Sequence, residues 1–319
     1  MKICKAYKEG FISAAKIKKM ATVIYAITFI FALLLAIPFR GTLIKVAGNS
    51  MALNSMVKGF DFTTYSDFLR SAGYAISPFI SSAIWFGILY LVFTIFFAGG
   101  VLKILNAENK KFSSGVFFES CAAFFFRFLR LAVYLIILQI IFAFIVFMPL
   151  SIIVSTASGT VQNEAVLFYI VLAGIIIYLF FFILVLTIGD YAKIIIIVED
   201  SRKPFKSIWP STKFVIRHFF STYLLYLFLL AVPILLFVIY FYLDNVIGMI
   251  SGLTVFIMFL IQQAFVWLKT WIKIWFLGSE LSLYKLFPVI EAKQEEKEIV
   301  PEITNVNEGQ GLFENPLPS

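Results

Sequence analysis

Asp61 and Asp67 are the one pair of carboxylates whose spacing invites an acid–base reading. Such catalysis needs two ionisable groups held around one reacting atom. No histidine or third acid lies beside them, and the single histidine, His218, sits next to Arg217 at the entrance to an apolar run. One imidazole cannot build a histidine-rich metal site, so His218 takes a passive interfacial role. Cys4 and Cys121 read as two free thiols, which excludes a disulfide scaffold. No Walker loop, HExxH, nucleophile elbow or nucleic-acid-reading motif occurs. What remains are polar side chains inside apolar runs, chiefly Gln139, Gln262 and Gln263. A glutamine in lipid either bonds a neighbouring helix or touches a polar solute. The chain is therefore expected to be no enzyme, with no cofactor and no metal.

Composition explains the scarcity of chemistry. Of the 319 residues, 61% are hydrophobic and 14% charged, and the mean hydropathy is +0.98. Soluble domains run at about 45–50% apolar and about 25% charged. A soluble enzyme, a disordered chain and a nucleic-acid-binding module are all excluded. A bilayer core of about 30 Å takes a helix of about 20 apolar residues. Six runs qualify, at about residues 21–38, 78–102, 131–154, 165–188, 219–243 and 246–268. None has an acidic or basic residue in its interior. Backbone amides must be satisfied within lipid, so the runs are expected to be helices despite their Ile, Val and Phe content. The first follows a long basic lead, Lys2 to Lys19, and reads as a retained span, not a cleaved leader.

The net charge of +8 is unevenly placed. Twenty-two basic residues fall on one side of these spans, against Arg40, Lys45, Lys58 and Arg70 on the other. The positive-inside rule then puts both termini in the cytoplasm, in an inner membrane. The partners implied are the bilayer and anionic lipid headgroups, with room for an unidentified protein and none for nucleic acid. Residues 205–218 place Phe205, Ile208, Trp209, Thr212 and Ile216 on one helical face and Lys206, Lys213 and Arg217 on another. Such a helix lies in the headgroup layer. Asp200 to Pro204 supplies its cap, and Glu199–Asp200 is placed to pair with Arg202–Lys203. Residues 112–130 read as a similar separate helix. Lys103, Lys193, Lys206, Lys213, Arg217 and Lys273 are the expected headgroup contacts.

These parts suggest one unit used three times, each a basic helix, a span, an outer loop and a second span. The leading helices are Lys8–Lys19, 112–130 and 205–218. Lys103, Lys193 and Lys273 close the even spans, with Glu108, Glu199 and Glu280 following, and Pro38, Pro149 and Pro233 mark the odd ones. All units start inside, so the repeats are parallel about the membrane normal. The outer loop 39–77 is long, with a short helix at Asp67–Arg70; 151–164 and Asp244–Asn245 are shorter connections. Gly248 to Gly252 forms a GxxxG. Residues 1–288 make the membrane domain, and 289–319, rich in Glu, Pro and Gly, a disordered acidic cytoplasmic tail. The expected fold is an all-α integral membrane bundle of six transmembrane helices with basic amphipathic interfacial helices.

Gly189-Asp190-Tyr191-Ala192-Lys193, Val198-Glu199-Asp200-Ser201-Arg202, Phe205-Lys206-Ser207 and Phe214-Val215-Ile216-Arg217-His218 resemble a group of uncharacterised bacterial polytopic proteins. These are similar to the membrane domain attached to some glycerophosphodiester phosphodiesterases. No phosphodiesterase domain follows span six, so no catalytic residue is carried over. The resemblance implies a bacterial inner-membrane protein. The reading of its function is a non-enzymatic membrane-organising protein that binds lipid or a partner. The alternative is a permease for a lipid or apolar solute, which needs no charge within the membrane.

Overall fold

The computed structural model describes residues 2–47, 61–107, 111–160, 164–247 and 251–287. Among them are eight helices: α1 (Lys2–Lys16), α2 (Lys18–Ala47), α3 (Phe62–Asn106), α4 (Ser114–Thr160), α5 (Glu164–Val198), α6 (Pro204–Arg217), α7 (Phe219–Ile247) and α8 (Gly252–Lys285). Six of them, α2, α3, α4, α5, α7 and α8, are long and apolar enough to cross a membrane. The protein is a multi-pass membrane protein.

The helices outrun their apolar segments. α4 has 47 residues, about 70 Å at about 1.5 Å per residue, against a hydrocarbon core of about 30 Å. Several expected connections become helix. The separate helix at 112–130 is instead the first third of α4, which is unbroken from Ser114 to Thr160. Phe117, Cys121, Phe124, Phe128 and Leu131 are buried across the expected junction. Their alternating spacing of four and three keeps one face packed, so nothing interrupts the helix. The outer loop shrinks from both ends: α2 runs on to Ala47 and α3 starts at Phe62, taking in Asp67–Arg70. Residues 48–60, with Lys58, lie outside the described residues. Of the expected connection 151–164, residues 151–160 belong to α4. Asp244 and Asn245 lie within α7, where the Asn245 amide donates to Phe241 O at 2.9 Å. The last span begins at Gly252 behind a Ser251–Thr254 capping box; Gly248, Glu108 and residues 289–319 lie outside the described residues. Pro38, Pro149 and Pro233 sit inside continuous helices.

The buried core gathers at one end of the bundle. It comprises Ala14 to Ile24, Ile95 to Leu105, Phe117 to Leu131, Ile188 to Ile197, Leu225 and Leu229, and Ile272 to Tyr284. These are the helix portions nearest the lysine-rich segments, hereafter the basic end. Towards the other end, Phe144, Met148, Leu235, Phe241, Leu253 and Phe256 are exposed. Solvent quality accounts for the asymmetry. Within hydrocarbon no hydrophobic force draws apolar helices together. Where the helices leave it and meet water, burial of the same side chains becomes favourable.

α1 fits this core closely. Tyr7 and Phe11 meet Trp275 edge-on at 4.8 and 5.1 Å between centroids. The indole N–H groups of Trp271 and Trp275 donate to Ala14 O and Tyr7 O, each at 3.1 Å. Between them Gly10 lies on Gly278 and Ser279. α3 and α4 meet through a second glycine contact, Gly99 and Gly100 against Phe117, Ser120, Cys121 and Phe124.

Candidate functional site

A charged cluster lies inside the core at the basic end. On α5, Asp190 and Lys193 form an ion pair at 2.7 Å, their side chains 18% and 24% exposed. Their spacing of three residues sets them on one helix face. On α8, Glu280 is 1% exposed. Neither carboxylate oxygen of Glu280 has a hydrogen-bond partner among the described residues, and the same holds for Tyr191 Oη and Ser279 Oγ. The charges of Asp190 and Lys193 act on Glu280, and those of Asp190 and Glu280 reach Tyr226 on α7. Three helices therefore meet around two carboxylates and the Lys193 ammonium, with Lys273 of α8 in the field of Asp190 and Lys193.

These residues lie just beyond the runs at 165–188 and 246–268, whose interiors are uncharged as the sequence suggests. Their burial was not expected. Lys193, one of the expected headgroup contacts, is paired with Asp190. The physical reason is the length of α8, which carries an apolar face through Ile272, Trp275, Leu281 and Tyr284 to close over α5. That spacing was present in the sequence and would have extended span six past Lys273. Glu199, in the position equivalent to Glu280 in the suggested repeat, is exposed.

The second element of the site is α6. Its buried face is Pro204, Ser207, Ser211, Phe214 and Val215, small enough at the serines for close approach to the bundle. Phe205, Trp209 and Ile216 stand outward, 68%, 77% and 64% exposed. Lys206, Lys213 and Arg217 are exposed on the neighbouring sector. Lys103 and Lys273 are exposed as well, with Lys103 Nζ 6.0 Å from the Phe124 ring centroid. The helix begins with Pro204 in its first turn behind Lys203, and no side chain caps it. Asp200 is drawn away from that role and from the local basic pair. It takes a left-handed backbone conformation, φ 45°, and accepts from Arg127 Nη1 of α4 at 2.6 Å. This bond holds the Asp200 carboxyl below its usual pKa.

His218 ends α6, donating its backbone N–H to Phe214 O at 3.0 Å. Its ring stacks on Phe287 at 3.9 Å, and Lys2 Nζ lies 4.4 Å from the Phe287 ring centroid. Burial, with the charges of Arg217 and Lys2, lowers its pKa from 6.5. The unfolded chain then binds more protons just below about pH 6.5, so this stabilisation is whole above that value and is lost as pH falls through the folded value. Acidification from about pH 7.5 to about pH 5.5 is expected to lower the melting temperature of the wild type more than that of His218→Phe, which keeps the stack without the titration. Equal drops in both would refute this role.

The three glutamines each bond a neighbouring helix. Gln139 Nε2 donates to Phe182 O at 3.1 Å, and Gln262 Nε2 to Tyr240 Oη at 2.9 Å. Gln263 Oε1 accepts from Tyr25 Oη at 2.9 Å. A crevice lined by Thr28, Phe31, Phe86, Leu89, Tyr90 and Phe93 has a volume of about 20 Å³, room for roughly one water. Asp61 caps α3, accepting from Thr63 N at 2.9 Å, and Asp67 is exposed farther along the same helix. Among the described residues no three His, Cys, Asp or Glu side chains gather as a metal site. No family model, curated protein or solved structure matches the chain.

Proposed function

We propose that the protein is a non-enzymatic organiser of the bacterial inner membrane, binding anionic lipid at the cytoplasmic leaflet. The orientation rests on the one-sided distribution of basic residues, and the bacterial source on the resemblance carried by residues 189–218. The observation that carries the reading is the ridge on α6. Its inner face is fixed to the bundle, so Phe205, Trp209 and Ile216 are held outward beside Lys206, Lys213 and Arg217. A ridge of this composition seats its apolar side chains among acyl chains and its cations among phosphates. The permease alternative depends on the glutamines for solute contact, and each already spends part of its amide on a helix–helix bond.

Native mass spectrometry of protein gently extracted from membranes tests the reading. Each cation near an anionic surface is worth about 1 kcal/mol. Replacing Lys206, Lys213 and Arg217 together by glutamine is then expected to cut anionic-lipid retention by up to about 100-fold at low salt, with zwitterionic lipid unaffected. Unchanged anionic-lipid retention in the triple variant would refute it.

A further inference from the structure

We infer that Glu280 is a proton-binding site, carrying one exchangeable proton that balances the charge of the Asp190–Lys193–Glu280 cluster. The inference stands apart from the lipid reading and concerns the interior of the basic end. It begins from a mismatch of partners. Lys193 Nζ is committed to Asp190 at 2.7 Å. Glu280 is 1% exposed and neither of its oxygens has a hydrogen-bond partner among the described residues. An ionised carboxylate removed from water needs a paired charge and several donors, whereas the neutral acid needs far less. One proton on Glu280 brings the cluster to zero net charge, with Asp190 negative, Lys193 positive and Glu280 neutral.

Among the described residues the cation whose charge acts on Glu280 is Lys193. From α5 the charges acting on Glu280 are Asp190 and Lys193. Tyr191 and Tyr226, from α5 and α7, bring hydroxyls into the same field. α1, packed on the adjacent Ser279, presents the backbone of Gly10 there. Lys273, on α8 itself, is exposed at its surface and lies in the field of Asp190 and Lys193, though not among the charges acting on Glu280. The partly exposed Asp190 and Lys193 connect the cluster to the outside at the basic end, 18% and 24% open. A proton from water on that side forms an O–H bond at Glu280 and returns to the same water when it leaves. The apolar runs at 165–188 and 246–268 carry no charge, and the exchangeable proton resides just beyond them, at the basic end.

Infrared spectroscopy of the full chain in lipid nanodiscs reads the proton directly. At neutral pH the wild type is expected to show the carbonyl band of a protonated carboxylic acid, shifted in heavy water and shifted again by ¹³C-glutamate labelling. Glu280→Gln is expected to lose the band. Asp190→Asn is expected to lose it too, because the freed Lys193 ammonium then pairs with an ionised Glu280. A purely structural glutamate would not respond to Asp190 in this way. Absence of a glutamate-labelled acid band from the wild type would overturn the inference without recourse to any variant. So would a band that persists in Glu280→Gln, or one that persists in Asp190→Asn.

Discussion

Lys193→Met is expected to cost about 3 kcal/mol of stability, because breaking a largely buried ion pair typically costs about 3–5 kcal/mol and this one is partly open to solvent. The loss exceeds that of the single contact with Asp190 at 2.7 Å. Without the ammonium, Asp190 is left as a largely buried charge with no counter-ion, beside the neutral Glu280. At about 2–4 °C per kcal/mol for a chain of this class, the melting temperature in nanodiscs should drop by roughly 10 °C. The Lys193→Met/Asp190→Asn double variant removes both charges and is expected to recover most of that drop. Tryptophan fluorescence on heating checks both values. A single variant that melts with the wild type would show that the pair contributes nothing to the core.

Gly10→Ala is expected to undock α1. A Cβ at this position would lie 2.5 Å from Ser279 N and 2.6 Å from its Cα. Those are backbone atoms of α8 and cannot swing aside, so the first helix has to lift. Lifting it strains the Tyr7–Trp275 and Phe11–Trp275 edge contacts and both indole hydrogen bonds. Overpacking of this kind costs about 1–3 kcal/mol and occasionally more, outweighing the roughly 1 kcal/mol that alanine gains over glycine in a helix. Amide hydrogen exchange along Lys2–Lys16 should accelerate at least 10-fold, the equivalent of about 1.4 kcal/mol. Gly115→Ala is the control. Nothing lies within 4 Å of its Cβ, and it should leave α1 protection unchanged. Equal exchange in wild type and Gly10→Ala would contradict the close seating of α1.

The spans were legible because length and charge exclusion are strong signals in lipid. Residues 165–188 and 219–243 lie within α5 and α7 almost as read. The basic amphipathic helix at 205–218 was legible too, since its cations and its apolar ridge have different phases on the helix. What did not show was where helices stop. A hydropathy run ends when the lipid ends, whereas a helix ends when its packing does. Residues 112–130 and the stretch from Lys269 to Lys285 therefore read as loops or separate pieces, although both continue as parts of α4 and α8. The charged core was hidden for the same reason. Lys193 looks like any interfacial lysine until α8 is known to pass beside it, and Glu280 looks like a solvated acid until Trp275 and Tyr284 are known to face inward. Gly10 gives no warning in sequence either, since its importance lies in a backbone contact with Ser279.

The placement of α6 in the headgroup layer is most directly tested by spin labels set one at a time along residues 205–217, in liposomes containing anionic lipid. Labels at Phe205, Trp209 and Ile216 should relax with oxygen dissolved in the acyl region. Those at Lys206, Lys213 and Arg217 should relax with a water-soluble nickel reagent, and those at Ser207, Ser211 and Val215 with neither. Aqueous accessibility at Phe205, Trp209 and Ile216 would place the ridge away from lipid and contradict the proposed role of the basic end.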